Sequence, residues 1–158
     1  MSDELLNKAL DLAYFYLKFR PRTKKELTGY LYRKSKKYHF SEKLINQSIK
    51  RLTELNLVND KEFISWFVDQ RNRSRPKGKF VFIAELLRLG VSKDLIDDFF
   101  NQSVQDEDGL AAQALSKRWP LWSNIPKEKR FQKAYSFLLR RGFNFDTIRQ
   151  LISKLEKM

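Results

Sequence analysis

Cysteine is absent from this chain, which excludes disulfides, thiolate nucleophiles and thiolate metal sites. Histidine occurs once, as His39, so the chain cannot assemble a multi-histidine metal site. Only 5 glycines and 4 prolines are spread over 158 residues. A sandwich or barrel needs turn residues about every 8–12 positions, and this supply falls short, so helices are favoured. The longest apolar run, Leu12 to Leu17, is far below the ~20 residues of a membrane span. The opening Ser2-Asp3-Glu4-Leu5-Leu6 is acidic and lacks the basic lead-in of a signal peptide. These features together predict a cytoplasmic protein.

Hydrophobic residues make up 42% of the chain, and Phe alone contributes 13. That is enough for a core and too much for a disordered tail. The formal charge is +13. Such an excess repels itself in a compact state, and a polyanionic partner is the usual reason to carry it.

Apolar periodicity predicts nine helices, near residues 5–19, 24–34, 42–56, 60–72, 79–89, 93–103, 108–118, 127–141 and 145–156. Arg20-Pro21 ends the first helix, because the residue before proline avoids the α region. Thr23-Lys24-Lys25-Glu26 reads as a capping box, and Asn59 to Glu62 as a second. Trp66 and Phe67 are expected in the core of the central segment. Trp119-Pro120 stops the seventh helix, and the Pro-bearing stretch after it reads as a loop.

One local pattern returns three times. Phe40-Ser41 leads to Ile45, Val91-Ser92 to Ile96, and Phe143-Asn144 to Ile148, each with the spacing of a hydrophobic staple around an N-cap. The steps between copies are 51 and 52 residues. An apolar helix ending in Gly90 or Gly142 precedes the last two copies. In the first, Ser35 stands at the glycine's place and Lys36 to His39 are extra. The expected fold is all-α, built of tandem three-helix units at 1–58, 59–105 and 106–158.

Catalytic chemistry finds no set of residues to work with. Gly78-Lys79-Phe80 lacks the rest of a phosphate-binding loop. His39 lies among lysines with no local carboxylate to orient it. Asp97 and Asp98 are neighbours that point in different directions on a helix. No enzyme and no cofactor are expected.

The basic clusters are more informative. Arg71, Arg73, Arg75, Lys77 and Lys79 alternate with Asn72, Ser74, Pro76 and Gly78, and no acid intervenes. That reads as an exposed, extended loop suited to phosphates. A second group contains Lys24, Lys25, Arg33, Lys34, Lys36 and Lys37. A third contains Lys117, Arg118, Lys129 and Arg130. Contacts of this type give affinity without sequence choice. Tyr30, Tyr32 and Tyr38 lie among the cations, as base-stacking rings or as packing at the rim of a core. Asp94, Asp97 and Asp98 form an acidic patch that reads equally as a solvated face or as a protein-contact surface.

Several of these residues carry a resemblance to the RecX family of RecA regulators. Asn59-Asp60-Lys61-Glu62-Phe63-Ile64-Ser65-Trp66-Phe67-Val68-Asp69-Gln70-Arg71 resembles that family's acidic start, aromatic helix and closing Arg. Pro76-Lys77-Gly78 and Glu85-Leu86-Leu87-Arg88-Leu89-Gly90-Val91 are similar to its next segments. Arg20-Pro21-Arg22-Thr23 with Glu26-Leu27, and Leu138-Leu139-Arg140-Arg141-Gly142-Phe143, resemble its first and last repeats. The resemblance spans almost the whole chain. It implies an elongated, curved array of three-helix repeats that binds the RecA–DNA filament as a monomer. It further implies inhibition or modulation of RecA ATPase, strand exchange and co-protease activity in homologous recombination, DNA repair and the SOS response. The partners implied are RecA and single- and double-stranded DNA, without strong sequence preference and with no membrane.

The rival reading is a helix-turn-helix transcription regulator, with Thr23–Lys34 followed by Ser41–Leu57 as its two helices. Against it, Asn59 starts another helix where a winged domain needs a β-hairpin. The pattern also repeats, which a single recognition helix would not do.

Overall fold

A computed structural model describes residues 2–102 and 106–158. All regular structure among them is helical. The elements are α1 (Ser2–Leu17), α2 (Lys24–Tyr38), α3 (Glu42–Glu54), α4 (Asp60–Ser74), α5 (Lys79–Arg88), α6 (Lys93–Gln102), α7 (Glu107–Leu115), α8 (Lys127–Arg140) and α9 (Phe145–Glu156), with a 3-10 turn at Trp119–Trp122. Contacts divide the chain into two compact units, residues 1–66 with 86–97, and residues 67–85 with 98–158. The divisions fall inside α4, α5 and α6.

In the first unit α1, α2 and α3 pack on one another. Ala9 and Ala13 let α1 approach closely, and Leu27, Leu31, Ile45 and Leu52 fill the centre. The capping box at the start of α2 forms as the sequence predicts. The Thr23 hydroxyl accepts from the Glu26 N–H at 3.1 Å, and the Glu26 carboxylate accepts from the Thr23 N–H at 3.1 Å. Thr23 is fully buried, and its hydroxyl also donates to the Leu89 carbonyl at 2.7 Å. One side chain thus caps α2 and satisfies an orphan carbonyl at the end of α5.

In the second unit α7, α8 and α9 surround Leu115, Phe137, Leu138, Phe143 and Ile148. Phe67 meets Phe82 edge-on, with ring centroids 6.3 Å apart.

The three predicted staples share one geometry. His39, Gly90 and Gly142 take φ of 60°, 92° and 89°. The next residues, Phe40, Val91 and Phe143, are buried, as are Ile45, Ile96 and Ile148. Between them Ser41, Ser92 and Asn144 accept from the backbone N–H groups of Leu44, Leu95 and Thr147 at 3.1, 3.3 and 2.8 Å. At the two glycines the helix closes with a paired bond pattern. Val91 and Phe143 donate to Leu86 and Leu138, while Gly90 and Gly142 donate to Leu87 and Leu139.

Four expectations need correction. Helix α2 runs to Tyr38 rather than Lys34, because the extra residues add one helical turn and His39 takes the left-handed position. Helix α4 runs to Ser74 rather than residue 72, so Arg73 is helical along with Arg71 and the loop begins only after Ser74. Trp66 is only half-buried, while Ile64 and Val68 join Phe63 and Phe67 inside. Helix α7 ends at Leu115, and the stretch after Trp119 forms a 3-10 turn where an irregular loop is expected.

Candidate nucleic-acid interface

Helix α2 presents Lys24, Lys25, Arg33, Lys36 and Lys37 to solvent, while Lys34 is half-buried. The ammonium of Lys34 lies 5.4 Å from the Tyr30 ring centre, and that of Lys37 lies 5.3 Å from Tyr38. The neighbouring Arg20 and Arg22 serve the fold. Arg20 chelates the Glu26 carboxylate, and Arg22 sits 3.8 Å over the Tyr16 ring. Of the three tyrosines, Tyr30 is buried and stacked on Tyr16 at 4.1 Å. Burial raises its hydroxyl pKa. Tyr38 stacks on Phe40 at 5.7 Å. Desolvation would raise its pKa, but the ammonium groups of Lys37 and Lys8 outweigh it and hold the pKa below 10.0. Tyr32 keeps an exposed ring.

The basic stretch 71–79 divides into bound and free cations. Lys77 pairs with Glu85 at 3.1 Å. Arg73 pairs with Asp69 at 2.8 Å, one turn earlier on α4. Arg71 lies 4.9 Å over the Phe67 ring. Pro76 and Gly78 are buried, and Gly78 donates to the Arg141 carbonyl at 2.7 Å. The predicted exposed loop is therefore packed at its centre. Arg71, Arg75 and Lys79 remain exposed, with no carboxylate of the described residues in ion-pairing distance.

The third group divides similarly. Lys117, Arg118 and Lys129 are exposed. Arg130 is tied down: it grips both oxygens of Glu156 at 2.9 and 2.6 Å and donates to the Ile125 carbonyl at 2.8 Å. The Glu156 carboxyl is held below its usual range by that guanidinium. Sequence reasoning missed Lys133 and Arg140, which lie on the same side of α8 as Lys129 at helical spacings of four and eleven. It also missed Arg141, which follows the helix.

The acidic residues Asp94, Asp97 and Asp98 lie exposed on α6. The next acids are structural. Asp106 caps α7 by accepting from Gly109, and Glu107 accepts from the Lys79 N–H at the start of α5 at 3.3 Å. Burial raises the Glu107 pKa above 4.5. Among the described residues no group of three or more His, Cys, Asp or Glu side chains could hold a metal ion. No helix among them is long and apolar enough to cross a membrane.

Helices closed by left-handed residues and reopened by stapled caps, with free cations on their outer faces, define a basic helical-repeat protein. Comparison with known proteins narrows this class. The domain described as "RecX, third three-helix domain" matches residues 106–152. The chain is 34% identical over 155 residues to "Regulatory protein RecX" of Chlorobium phaeobacteroides, covering 98% of each chain. It is also 34% identical over 158 residues to the same-named protein of Prosthecochloris aestuarii, again covering 98% of each. The fold matches the crystal structure of RecX from Lactobacillus salivarius with a TM-score of 0.84, 24% identity and 99% of each chain covered. The chain belongs to the RecX family of regulatory proteins.

Proposed function

We propose that this protein binds the RecA–DNA filament and inhibits or modulates RecA ATPase, strand exchange and co-protease activity. It does so without catalysis of its own, in the cytoplasm, during DNA repair and the SOS response. The observation that carries this reading is the match to regulatory RecX proteins over 98% of both chains. The working units are three three-helix repeats, residues 1–58, 59–105 and 106–158. The match of residues 106–152 to the third three-helix domain supports the last boundary.

The free cations supply the DNA contact. Lys24, Lys25, Arg33, Lys36, Lys37, Arg71, Arg75, Lys79, Lys117, Arg118 and Lys129 are exposed and available to phosphates, whereas Lys77 and Arg130 hold the fold. Asp94, Asp97 and Asp98 suit a protein contact, since they repel phosphate. The decisive experiment is RecA ATPase on single-stranded DNA with this protein titrated in. Unchanged ATPase and strand exchange at molar excess would refute the reading.

A narrower test concerns the stretch 71–79. Replacing Arg71, Arg75 and Lys79 with Ala should flatten the dependence of log affinity on log salt by up to ~2 units, about 0.7 for each single-strand phosphate released. Parallel salt plots for wild type and variant would mean that these cations do not touch DNA.

A further inference from the structure

The first-unit cleft with Lys24, Lys25 and Arg33 also contains Glu26 and Asp60, and the cleft beside α9 contains Glu156. The groove along α8 is different, since no carboxylate lines it. Arg118, Lys129, Lys133 and Arg140 stand around a space of about 570 Å³, with the half-buried Trp122 at its side. No carboxylate of the described residues lies within ion-pairing distance of these four cations. Lys129 and Arg140 are eleven residues apart on one helix, a span of about 16 Å.

The fold adds further charge at one end of the groove. The guanidinium groups of Arg118 and Arg141 both lie over the Phe137 ring, at 4.8 and 4.7 Å from its centre. The Arg141 pKa is lowered, first by burial and then by the positive charges of Arg75 and Arg118. Arg75 is brought there by backbone packing. Its neighbour Gly78 approaches the chain at Gly142 so closely that an added Cβ would lie 2.2 Å from the Gly142 carbonyl oxygen. Like charges held together without a counter-charge are costly to the free protein, and an anion in the groove would relieve that cost.

We propose that the groove along α8 is a binding track for single-stranded DNA. The phosphodiester backbone runs past Lys129, Lys133 and Arg140 to the arginines at the end, with a base against Trp122. This rests on the reading that the chain engages DNA, and it moves the main contact away from the stretch 71–79. A single strand is the better fit because its unpaired bases can reach Trp122 while its phosphates follow the cations. An aromatic ring beside a row of cations is also how sequence-neutral single-strand sites are built.

The test compares two variants with equal loss of charge. One carries Lys129→Gln, Lys133→Gln and Arg140→Gln. The other carries Lys43→Gln, Lys50→Gln and Arg51→Gln, at exposed positions on α3. Affinity for an oligo-dT strand and for a duplex of equal length is measured at several salt concentrations. The groove variant should lose at least tenfold in single-strand affinity and about 2 units of salt slope, while the α3 variant stays near wild type. Trp122→Ala should weaken single-strand binding roughly tenfold, and Trp122→Phe should restore it. Equal losses in the two triple variants would overturn the groove, since net charge alone would then account for binding. An equal loss on duplex and single strand would overturn the single-strand assignment. If the wild-type chain does not bind the strand at all, the groove assignment falls. RecA ATPase measured alongside then shows whether the regulator reading survives without it.

Discussion

Lys77 and Glu85 show how a cation in a strongly basic protein can belong to the fold. Their side chains are each 19% exposed and meet at 3.1 Å. The second oxygen of Glu85 is buried without a hydrogen-bond partner, so this carboxylate depends heavily on the lysine. Removing one partner of a shielded pair leaves the other charge uncompensated. Lys77→Ala should therefore lower the unfolding free energy by roughly 1–3 kcal/mol. Arg75→Ala, two residues away and exposed, should stay within about 0.5 kcal/mol. Urea unfolding of the two variants makes the comparison, and equal stabilities would show that the ion pair contributes nothing. The sequence places both residues in one basic run. Only the packing of Pro76 and Gly78 separates the lysine that turns inward from the arginine that faces out.

At the scale of elements, the junction His39-Phe40, Gly90-Val91 and Gly142-Phe143 is the recurring device. A left-handed residue ends one helix, a buried side chain follows, and a capping oxygen starts the next. Glycine adopts φ near +90° without penalty, whereas a residue with a Cβ pays about 1–2 kcal/mol in the left-handed region. His39 at φ 60° carries that strain. His39→Gly should raise stability by about 1 kcal/mol after the entropy cost of glycine is included. Gly142→Ala should lower it, because its Cβ would also lie 2.6 Å from the Val81 backbone nitrogen. Thermal unfolding decides both, and a destabilised His39→Gly would mean that the imidazole makes a compensating contact. These junctions were legible in the sequence because caps, staples and glycines act locally. The extra turn of α2 was not, because Lys36-Lys37-Tyr38 shows no apolar period. Four added residues make about one turn, so Phe40 returns to the core. The end of α4 is hidden in the sequence for a related reason. Pro76 restrains only the residue before it, and Ser74 can still be helical. The cations along α8 do not form a run in the sequence. Lys129, Lys133 and Arg140 are a stripe, visible only once the helix is drawn and α7 and α9 have fixed which side faces out.

For the whole molecule, the charge of +13 and the free cations in both compact units argue that it meets its target over a broad area. A partner built from repeating protomers on DNA offers such an area. If the proposed DNA and protein contacts lie on different helices, one copy should affect more than a single RecA protomer. It can bridge neighbours, or stop growth at an end. Inhibition of RecA ATPase is therefore expected at less than one copy per RecA protomer. The check is a titration at fixed RecA and fixed single-stranded DNA, followed to full inhibition. Simple masking of DNA by a basic protein predicts a different curve, set by DNA length and independent of RecA concentration. Doubling RecA at constant DNA separates the two. A midpoint that moves with RecA supports action on the filament, and one that moves only with DNA would reduce the protein to a competitor for the strand.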